Sequence, residues 1–273
     1  GSTRSRTVEA TITSAEFSDW NLRAGNFDEA DLMDVTFGND TFVAVGSQSK
    51  VLYTDDVVTW RAVELDVESD LKGVAFGNGI FVAAGSGDTV LRGSSPHNLE
   101  LVDLGGSTDW NGVDYVDGVF WLTGDNGQLL RSRDGESWET ITTGTDAALI
   151  GITYGHDGYL VISNSNVYVR SFDAINWSAQ IAESNNPSRP AVAFRAVAYF
   201  SGRYYLCLNG VIQNSGTTEL AALSTTTSST LAKFHALTLD DQTDHLVAVG
   251  GYSSYLGSYL YGEGGRGSSG LYR

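Results

Sequence analysis

The stretch LMDVTFGNDTFVAVG at residues 32–46 returns, altered, as LKGVAFGNGIFVAAG at residues 71–85, which begins 39 residues later. Apolar and β-branched residues on both sides of Gly-Asn-Asp or Gly-Asn-Gly are typical of two strands joined by a tight turn, because such turns need residues that tolerate a positive φ. Self-similarity at a fixed spacing of this length indicates a repeat architecture. The stretch therefore predicts a repeated β-hairpin.

Related stretches begin six times along the chain, at Leu32, Leu71, Trp110, Leu149, Phe194 and Phe234. A second hairpin follows in the clearest copies, as in GQLLRSRDGESWETITT at 127–143, and a tryptophan recurs near its turn, at Trp60, Trp138 and Trp177. Four short strands per unit indicate a β-propeller, because a four-stranded blade buries both its faces only by stacking on its neighbours. We predict an all-β fold, a six-bladed β-propeller of four-stranded antiparallel blades, with seven blades as the alternative.

The two ends of the chain are predicted to meet in one blade, so that residues 1–273 form a single domain. The last repeat supplies two strands from 234–250 and a third from SGLYR at 269–273. The missing outer strand is predicted at TVEATIT, residues 7–13, and residues 1–6 are interpreted as a tag or linker. The first segment would then close the ring.

The segment SRDGESW at 132–138 resembles the Asp-box of bacterial neuraminidase repeats. The whole unit resembles the propellers of photosystem II assembly-factor-like proteins, exported bacterial proteins and phage virion proteins. This resemblance implies the fold and says little about function, because propellers host unrelated activities. Asp134 is expected to be structural, since an aspartate at this place accepts hydrogen bonds from its own turn. No position matches the catalytic residues of the neuraminidases, and none is carried over.

Composition excludes several classes of function. The chain has 16 Lys and Arg against 33 Asp and Glu, a formal charge of −17, so nucleic acid is not an expected partner. No apolar run approaches the roughly 20 residues that span a membrane, and no membrane insertion is expected. A single cysteine, Cys207, excludes an intrachain disulfide. The four histidines lack metal-ligand spacing, so no cofactor is predicted, although aspartate pairs in turns leave calcium open.

Candidate binding residues lie on one predicted face, the top face, where the connections between repeats run. Three insertions map there, at residues 14–31, 182–193 and 251–268, and loops on a rigid scaffold often carry function. The second residue of each repeat also varies within an otherwise regular frame. Its six occupants, which we call the variable column, are Met33, Lys72, Asn111, Ile150, Arg195 and His235. A solvated rim without a ligand is the alternative interpretation of this column.

The predicted ligand-binding residues combine polar members of the variable column with residues of the insertions. They are Lys72, Asn111, Arg195, His235, Trp20, Tyr252, Tyr255, Tyr259 and Arg266. The cationic side chains suit a carboxylate or sulfate, and aromatic rings with polar tips suit both sugars and protein interfaces.

The leading hypothesis is a non-catalytic recognition module, extracellular or on a virion, that binds a glycan or a cell-surface receptor through the top face. One alternative is a glycoside hydrolase or polysaccharide lyase acting on acidic polysaccharide, which requires a pair of catalytic groups. Asp34 and Asp114 are the only acids early in a first strand. The other alternative is a structural domain that spaces or docks neighbouring subunits of an assembly.

Overall fold

The structure is a computed structural model. It describes residues 31–56, 59–181, 193–200, 203–208, 211–215, 223–228, 232–240, 245–252 and 258–263, and beyond Tyr199 it describes side chains only at 204–206. The predicted closing strand at 7–13 and the insertions at 14–30 and 182–192 lie outside these residues.

The described residues form six antiparallel sheets, each built from strands that are consecutive in the sequence. Sheet 1 contains β1 Leu32–Gly38, β2 Thr41–Gly46, β3 Val51–Thr54 and β4 Arg61–Val63. Sheet 2 contains β5 Leu71–Gly77, β6 Ile80–Gly85, β7 Val90–Gly93 and β8 Glu100–Leu101. Sheet 3 contains β9 Trp110–Val116, β10 Val119–Gly124, β11 Leu129–Ser132 and β12 Glu139–Ile141.

The second half of the chain repeats this arrangement. Sheet 4 contains β13 Leu149–Gly155, β14 Gly158–Ser163, β15 Val167–Ser171 and β16 Ser178–Ile181. Sheet 5 contains β17 Phe194–Phe200, β18 Arg203–Leu208, β19 Val211–Ser215 and β20 Leu223–Ser228. Sheet 6 contains β21 Ala232–Asp240, β22 His245–Tyr252 and β23 Ser258–Glu263. Short 3-10 helices, Pro96–Asn98 and Asp125–Gly127, interrupt two of the loops.

The first hairpins of sheets 1–5 are each held by an aromatic pair at the turn. In β1 and β2, Phe37 lies directly opposite Phe42, and their ring centroids are 4.6 Å apart. The same pair recurs in the next four sheets at 4.6–4.9 Å, as Phe76–Phe81, Tyr115–Phe120, Tyr154–Tyr159 and Tyr199–Tyr204. Between the first pair, Asn39 and Asp40 take φ values of 47° and 58°, as a two-residue hairpin turn requires. The hairpins predicted from the repeat are confirmed.

The chain divides into two compact units, Gly1–Thr142 and Thr143–Arg273. In the first unit, β1 contacts β5 and β5 contacts β9, so the first strands of sheets 1–3 are neighbours. In the second unit, β13 contacts β17 and β17 contacts β21. Apolar side chains fill the space between neighbouring sheets. Val43 and Val45 of sheet 1, for example, share a buried cluster with Leu71 and Phe81 of sheet 2.

The predicted four-stranded antiparallel sheets are confirmed, but the last repeat differs from the prediction. Its third strand is β23, Ser258–Glu263, which pairs with β22 from Leu246↔Glu263 to Gly251↔Ser258. The sequence predicts the third strand at 269–273, after an insertion over 251–268, and this position of the third strand is wrong. Tyr259, Leu260 and Tyr261 favour a strand within the supposed loop. The number of blades and the closing role of residues 7–13 stay predictions.

Over the described part of the chain, no helix has the length and apolar character needed to cross a membrane.

Candidate binding site

Every member of the variable column lies at a β-bulge. In sheet 1, Leu32 pairs with Gly46 and Asp34 pairs with Val45, so Met33 is the extra residue between two paired neighbours. The register shifts at the same repeat position in all six sheets, which makes Lys72, Asn111, Ile150, Arg195 and His235 the extra residues of the others. A bulge re-aims a side chain away from the alternation of its strand, and bulges are common beside binding sites.

In sheets 1–4, the residue that follows the second strand donates a backbone hydrogen bond to the residue just before the first strand, which fixes the bulge in place. In sheet 2, Ser86 N donates a 2.9 Å hydrogen bond to the carbonyl of Asp70, the residue just before β5. A Cβ on Gly85 would collide with this carbonyl, so the close approach requires glycine. The Asp70 carboxylate in turn accepts a 2.9 Å hydrogen bond from Gln48 N of sheet 1. The bulge end of the sheet is therefore tied to its own second strand and to the preceding sheet.

Two predicted site residues of the first unit are in direct contact. Lys72 Nζ donates a 3.3 Å hydrogen bond to Asn111 Oδ1, which joins the bulge of sheet 2 to the bulge of sheet 3. Asn111 Nδ2 donates a 2.8 Å hydrogen bond to Asp125 Oδ1, on the 3-10 helix after β10. All three side chains are half-buried. Asp125 was not predicted, and no sequence signal points to it, since it lies in an ordinary turn.

The other predicted site residues are less fully described. Arg195 is exposed on β17 and lies in the second unit. His235, Tyr252 and Tyr259 lie on β21, β22 and β23, and only their backbones are described. Three predicted residues lie outside the described part of the chain: Trp20, Tyr255 and Arg266.

Asp34, one of the two acids considered for catalysis, makes structural contacts. Its Oδ1 accepts a 2.8 Å hydrogen bond from Val35 N, and its Oδ2 accepts one of 2.8 Å from Val74 N in sheet 2. Burial outweighs these two bonds and raises the pKa of the carboxyl to about 6. Asp114, the other acid, lies on β9 in sheet 3. Sheets 1 and 3 are separated by sheet 2, as the sequence predicted.

The turn at 132–138 has the structural geometry expected of Asp134. Its Oδ1 accepts 2.9 Å hydrogen bonds from the backbone N–H groups of Glu136 and Ser137. These bonds hold the pKa of Asp134 below its usual value. Trp138 Nε1 donates to Gly135 O at 3.1 Å. Because its carboxylate is occupied in this way, Asp134 serves as the cap of its own turn.

Among the residues that the structure describes, no group of three or more His, Cys, Asp or Glu side chains is placed to hold a metal ion. The calcium alternative has no support in this part of the chain.

Comparisons with known proteins agree with the repeat. The family model described as the DUF6242 beta propeller domain matches residues 65–222. Among curated proteins, no match is found.

Solved structures show the fold. YCF48 bound to D1 peptide superposes with a TM-score of 0.67 at 15% identity, covering 87% of this chain and 80% of that one. YCF48 from Cyanidioschyzon merolae gives 0.61 at 14% identity, with 86% and 82% covered. The WD40 beta propeller domain of Doa1 gives 0.60 at 12% identity, with 81% and 76% covered.

These likenesses confirm a β-propeller of the photosystem II assembly-factor-like kind at the level of the fold. The match to the family model spans more than half of the 273 residues. The chain therefore belongs to the DUF6242 beta propeller family.

Proposed function

We propose that this domain is a non-catalytic recognition module that binds segments of a protein partner through residues of the variable column. The observation that carries the proposal is the bulge at the same repeat position in all six sheets. A bulge conserved within the repeat, combined with a residue that changes from sheet to sheet, is what a scaffold for selective contacts requires.

The chemistry of the column supports a peptide ligand. Met33 and Ile150 offer apolar contact, Lys72 and Arg195 offer positive charge, and Asn111 offers an amide. Met33 and Arg195 are exposed, while Lys72, Asn111 and Ile150 are half-buried, so all five reach the surface. Backbone amides, carboxylates and apolar side chains of a peptide match this mixture, whereas a uniform polymer would not need it.

The bond from Lys72 to Asn111 prepares the first unit for such a ligand. An ammonium group has three donors, and this contact uses one. Asp125 fixes the Asn111 amide by accepting from Nδ2, which leaves the Asn111 oxygen directed at Lys72. A side chain that is already held in place loses less conformational entropy on binding. A carboxylate of the partner is the natural third member of this arrangement.

A neighbour in fold gives independent support. The structure of YCF48 bound to D1 peptide is that of a protein similar in fold that holds a peptide. At 15% identity the likeness carries no contact residue to this chain.

Glycan binding is the competing ligand class. It would use Tyr252, Tyr255, Tyr259 and Arg266 of the predicted insertion at 251–268, with Trp20 from the insertion at 14–31. We include an extracellular or virion setting in the proposal, as a receptor-binding or docking domain of a larger assembly. A hydrolase or lyase is less favoured, because Asp34 is occupied by two backbone hydrogen bonds.

The test compares peptide and glycan arrays probed with the wild-type domain and with a variant carrying K72A, N111A, R195A and H235A. We expect peptides selected by the wild-type domain to be lost by the variant. Titration calorimetry on the selected peptides should show binding weakened by about tenfold or more, since each lost charge-assisted contact costs about 1.5–3 kcal/mol.

The matched control is R133A combined with E136A, in the turn at the opposite end of sheet 3. This control should select the same peptides as the wild-type domain. If the wild-type domain selected glycans and a variant carrying Y252A, Y255A and Y259A lost that selection, the ligand would be a sugar rather than a peptide. Unchanged selection by the column variant would refute the column as the binding site.

A further inference from the structure

A second surface lies at the opposite end of sheet 4 from the bulge at Ile150. The turn SFDAINW at 171–177 is equivalent to SRDGESW at 132–138 in sheet 3, with the serine, the aspartate and the tryptophan in the same places. Two charged positions of the earlier turn are apolar in the later one. Phe172 stands where sheet 3 has Arg133, and Ile175 stands where it has Glu136.

Both apolar side chains are strongly exposed. Phe172 is 74% exposed and Ile175 is 73% exposed. Tyr154, the second-last residue of β13 at the same end of sheet 4, is 42% exposed, while its equivalents Phe76 and Tyr115 are half-buried. Phe172 and Ile175 share one turn, and grouped exposed apolar side chains mark interaction sites more often than isolated ones do.

The turn that carries them is held in one conformation. Asp173 Oδ1 accepts hydrogen bonds from Ile175 N at 2.9 Å and from Asn176 N at 2.8 Å. Asn176 Nδ2 donates to Asp173 Oδ2 at 2.8 Å. The Arg170 guanidinium lies over the Phe172 ring, 5.3 Å from its centroid. A prearranged turn presents its apolar side chains to a partner at little entropic cost.

The backbone of this turn places a residue other than glycine in the left-handed region. Ala174 has a φ of 58°, at the position where sheet 3 has Gly135 with a φ of 71°. A left-handed conformation is less favourable for alanine than for glycine, and such strain persists only where the surroundings enforce it. The turn keeps its shape even without the glycine that would favour it.

Charge decides which partner fits. The chain carries a formal charge of −17, so a second copy, an anionic membrane surface and a nucleic acid are all repelled. At the turn itself, Arg170 and Asp173 offset each other, since backbone hydrogen bonds hold the pKa of Asp173 well below its usual value and keep it ionised. The long-range field of the protein therefore selects a basic partner, and the two apolar side chains anchor it.

We propose that the turn surface formed by Phe172 and Ile175 docks a basic protein segment that carries apolar side chains. The occupant is a segment of another protein, held by burial of these two side chains and steered by the acidic surface. This surface is separate from the variable column, because Ile150 begins β13 whereas the turn follows Ser171, at the other end of the sheet.

The probes are three short synthetic peptides of equal length, built from Leu and Lys, from Leu and Glu, and from Ser and Lys. Binding to the full chain is followed by fluorescence anisotropy at low and at physiological salt. We expect the Leu/Lys peptide to bind and the other two to bind much more weakly. Replacing both anchors, F172S with I175S, should weaken Leu/Lys binding by about tenfold or more, because burial of both apolar side chains is lost.

The matched control is R133S with E136S, which changes the equivalent positions of sheet 3. It should bind the Leu/Lys peptide like the wild-type chain, and both variants should show the wild-type unfolding temperature, because all four positions are exposed. Equal peptide binding by the wild-type chain and F172S with I175S would overturn the proposal. If F172S with I175S abolished self-association in sedimentation experiments, the occupant would be a second copy of the chain instead of a basic segment. If it abolished binding to anionic lipid vesicles, the occupant would be a membrane surface. The two proposals fail independently, because the column variant tests the peptide arrays alone and F172S with I175S tests Leu/Lys binding at the turn alone.

Discussion

Two interfaces in the first unit are built from the same repeat, yet they close in different ways. Between sheets 1 and 2, the carboxylate of Asp34 spans the gap and accepts from Val74 N at 2.8 Å. Between sheets 2 and 3, the equivalent residue is Gly73, and a Cβ built on it would lie only 2.7 Å from Val113 N. One interface is therefore joined by a side chain and the other by direct backbone approach.

The far ends of the two interfaces differ as well. Tyr115 donates a 2.8 Å hydrogen bond to Asn78 Oδ1 between sheets 2 and 3. The equivalent ring between sheets 1 and 2 is Phe76, which has no hydroxyl. The repeat thus specifies strands and their order, while single residues at fixed repeat positions decide how closely neighbouring sheets approach. A single substitution at one of these positions can therefore change how two neighbouring sheets pack.

The largest effect is expected from G73A. The new Cβ would meet the backbone of the next sheet, at 2.7 Å from Val113 N and 3.0 Å from Gly112 Cα. Backbone atoms in a paired strand cannot move aside cheaply, so the free energy of unfolding should fall by about 2–3 kcal/mol, as overpacking of a filled interior does. Urea denaturation of the wild-type chain and the variant measures this.

The matched control is G151A, at the same repeat position in sheet 4. There the nearest atom to a new Cβ is Ile162 Cγ1, at 4.0 Å. The following two sheets carry alanine at this position, Ala196 and Ala236. We expect a change below about 0.5 kcal/mol. Equal destabilisation by G73A and G151A would show that the close approach at Gly73 does not limit packing.

The second effect concerns the polar interface. D34A removes the acceptor of Val74 N, and Val74 is only 4% exposed. An amide left without its partner in a buried place costs about 1–3 kcal/mol, and we expect about 2 kcal/mol in chemical denaturation at neutral pH. D34E, which keeps the carboxylate on a longer side chain, is the control and should lose less. A loss in D34A of less than about 0.5 kcal/mol would mean that the Asp34 bond does not join the sheets.

The pH dependence of the same interface gives a third prediction. The folded-state pKa of Asp34, about 6, lies above the ordinary aspartate pKa of 3.8, because burial disfavours the charged form. Protonated Asp34 therefore contributes its full stabilisation below about pH 4, and this stabilisation is lost as the pH rises through 6. Relative to D34N, which does not titrate, the wild-type chain should lose on the order of 1 kcal/mol across this window, after allowance for partial exposure. A difference between the two proteins that stays constant from pH 4 to pH 7 would contradict this assignment.

The sequence was sufficient to predict the first hairpins and the four-stranded sheets. Spacing of 39 residues and turn residues such as Asn39 and Asp40 are local signals, and the aromatic pairs that follow from them are local contacts. The third strand of sheet 6 was missed, because the strand-forming residues Tyr259, Leu260 and Tyr261 are flanked on both sides by the glycines and serines of a loop-like stretch. Strand pairing depends on a second segment, here β22, and a single segment cannot reveal it.

The site was predicted only in part. The variable column was visible as variation within a regular frame, but the bulge that re-aims it was not, since an extra residue leaves the hydrophobic pattern nearly intact. The Lys72–Asn111 contact follows from the neighbouring sheets of the fold, and Asp125 is reached only through it. Phe172 and Ile175 appeared as ordinary strand-turn residues, and only their exposure in the folded chain distinguishes them.

The smallest effect is expected from Y115F, which converts the interface between sheets 2 and 3 to the type found between sheets 1 and 2. The variant loses the bond from Tyr115 to Asn78 Oδ1 but keeps the ring, so the packing against the neighbouring sheet is retained. Asn78 Nδ2 still donates to Arg133 O at 3.0 Å, and the freed oxygen reaches water because Asn78 is exposed. We therefore expect a loss of about 0.5 kcal/mol in urea denaturation, near the low end for a hydrogen bond that water can replace. The reciprocal change, F76Y, places a hydroxyl near Asn39 and should be neutral or slightly stabilising. A loss in Y115F as large as that in D34A would show that the hydroxyl, rather than the ring, holds these two sheets together.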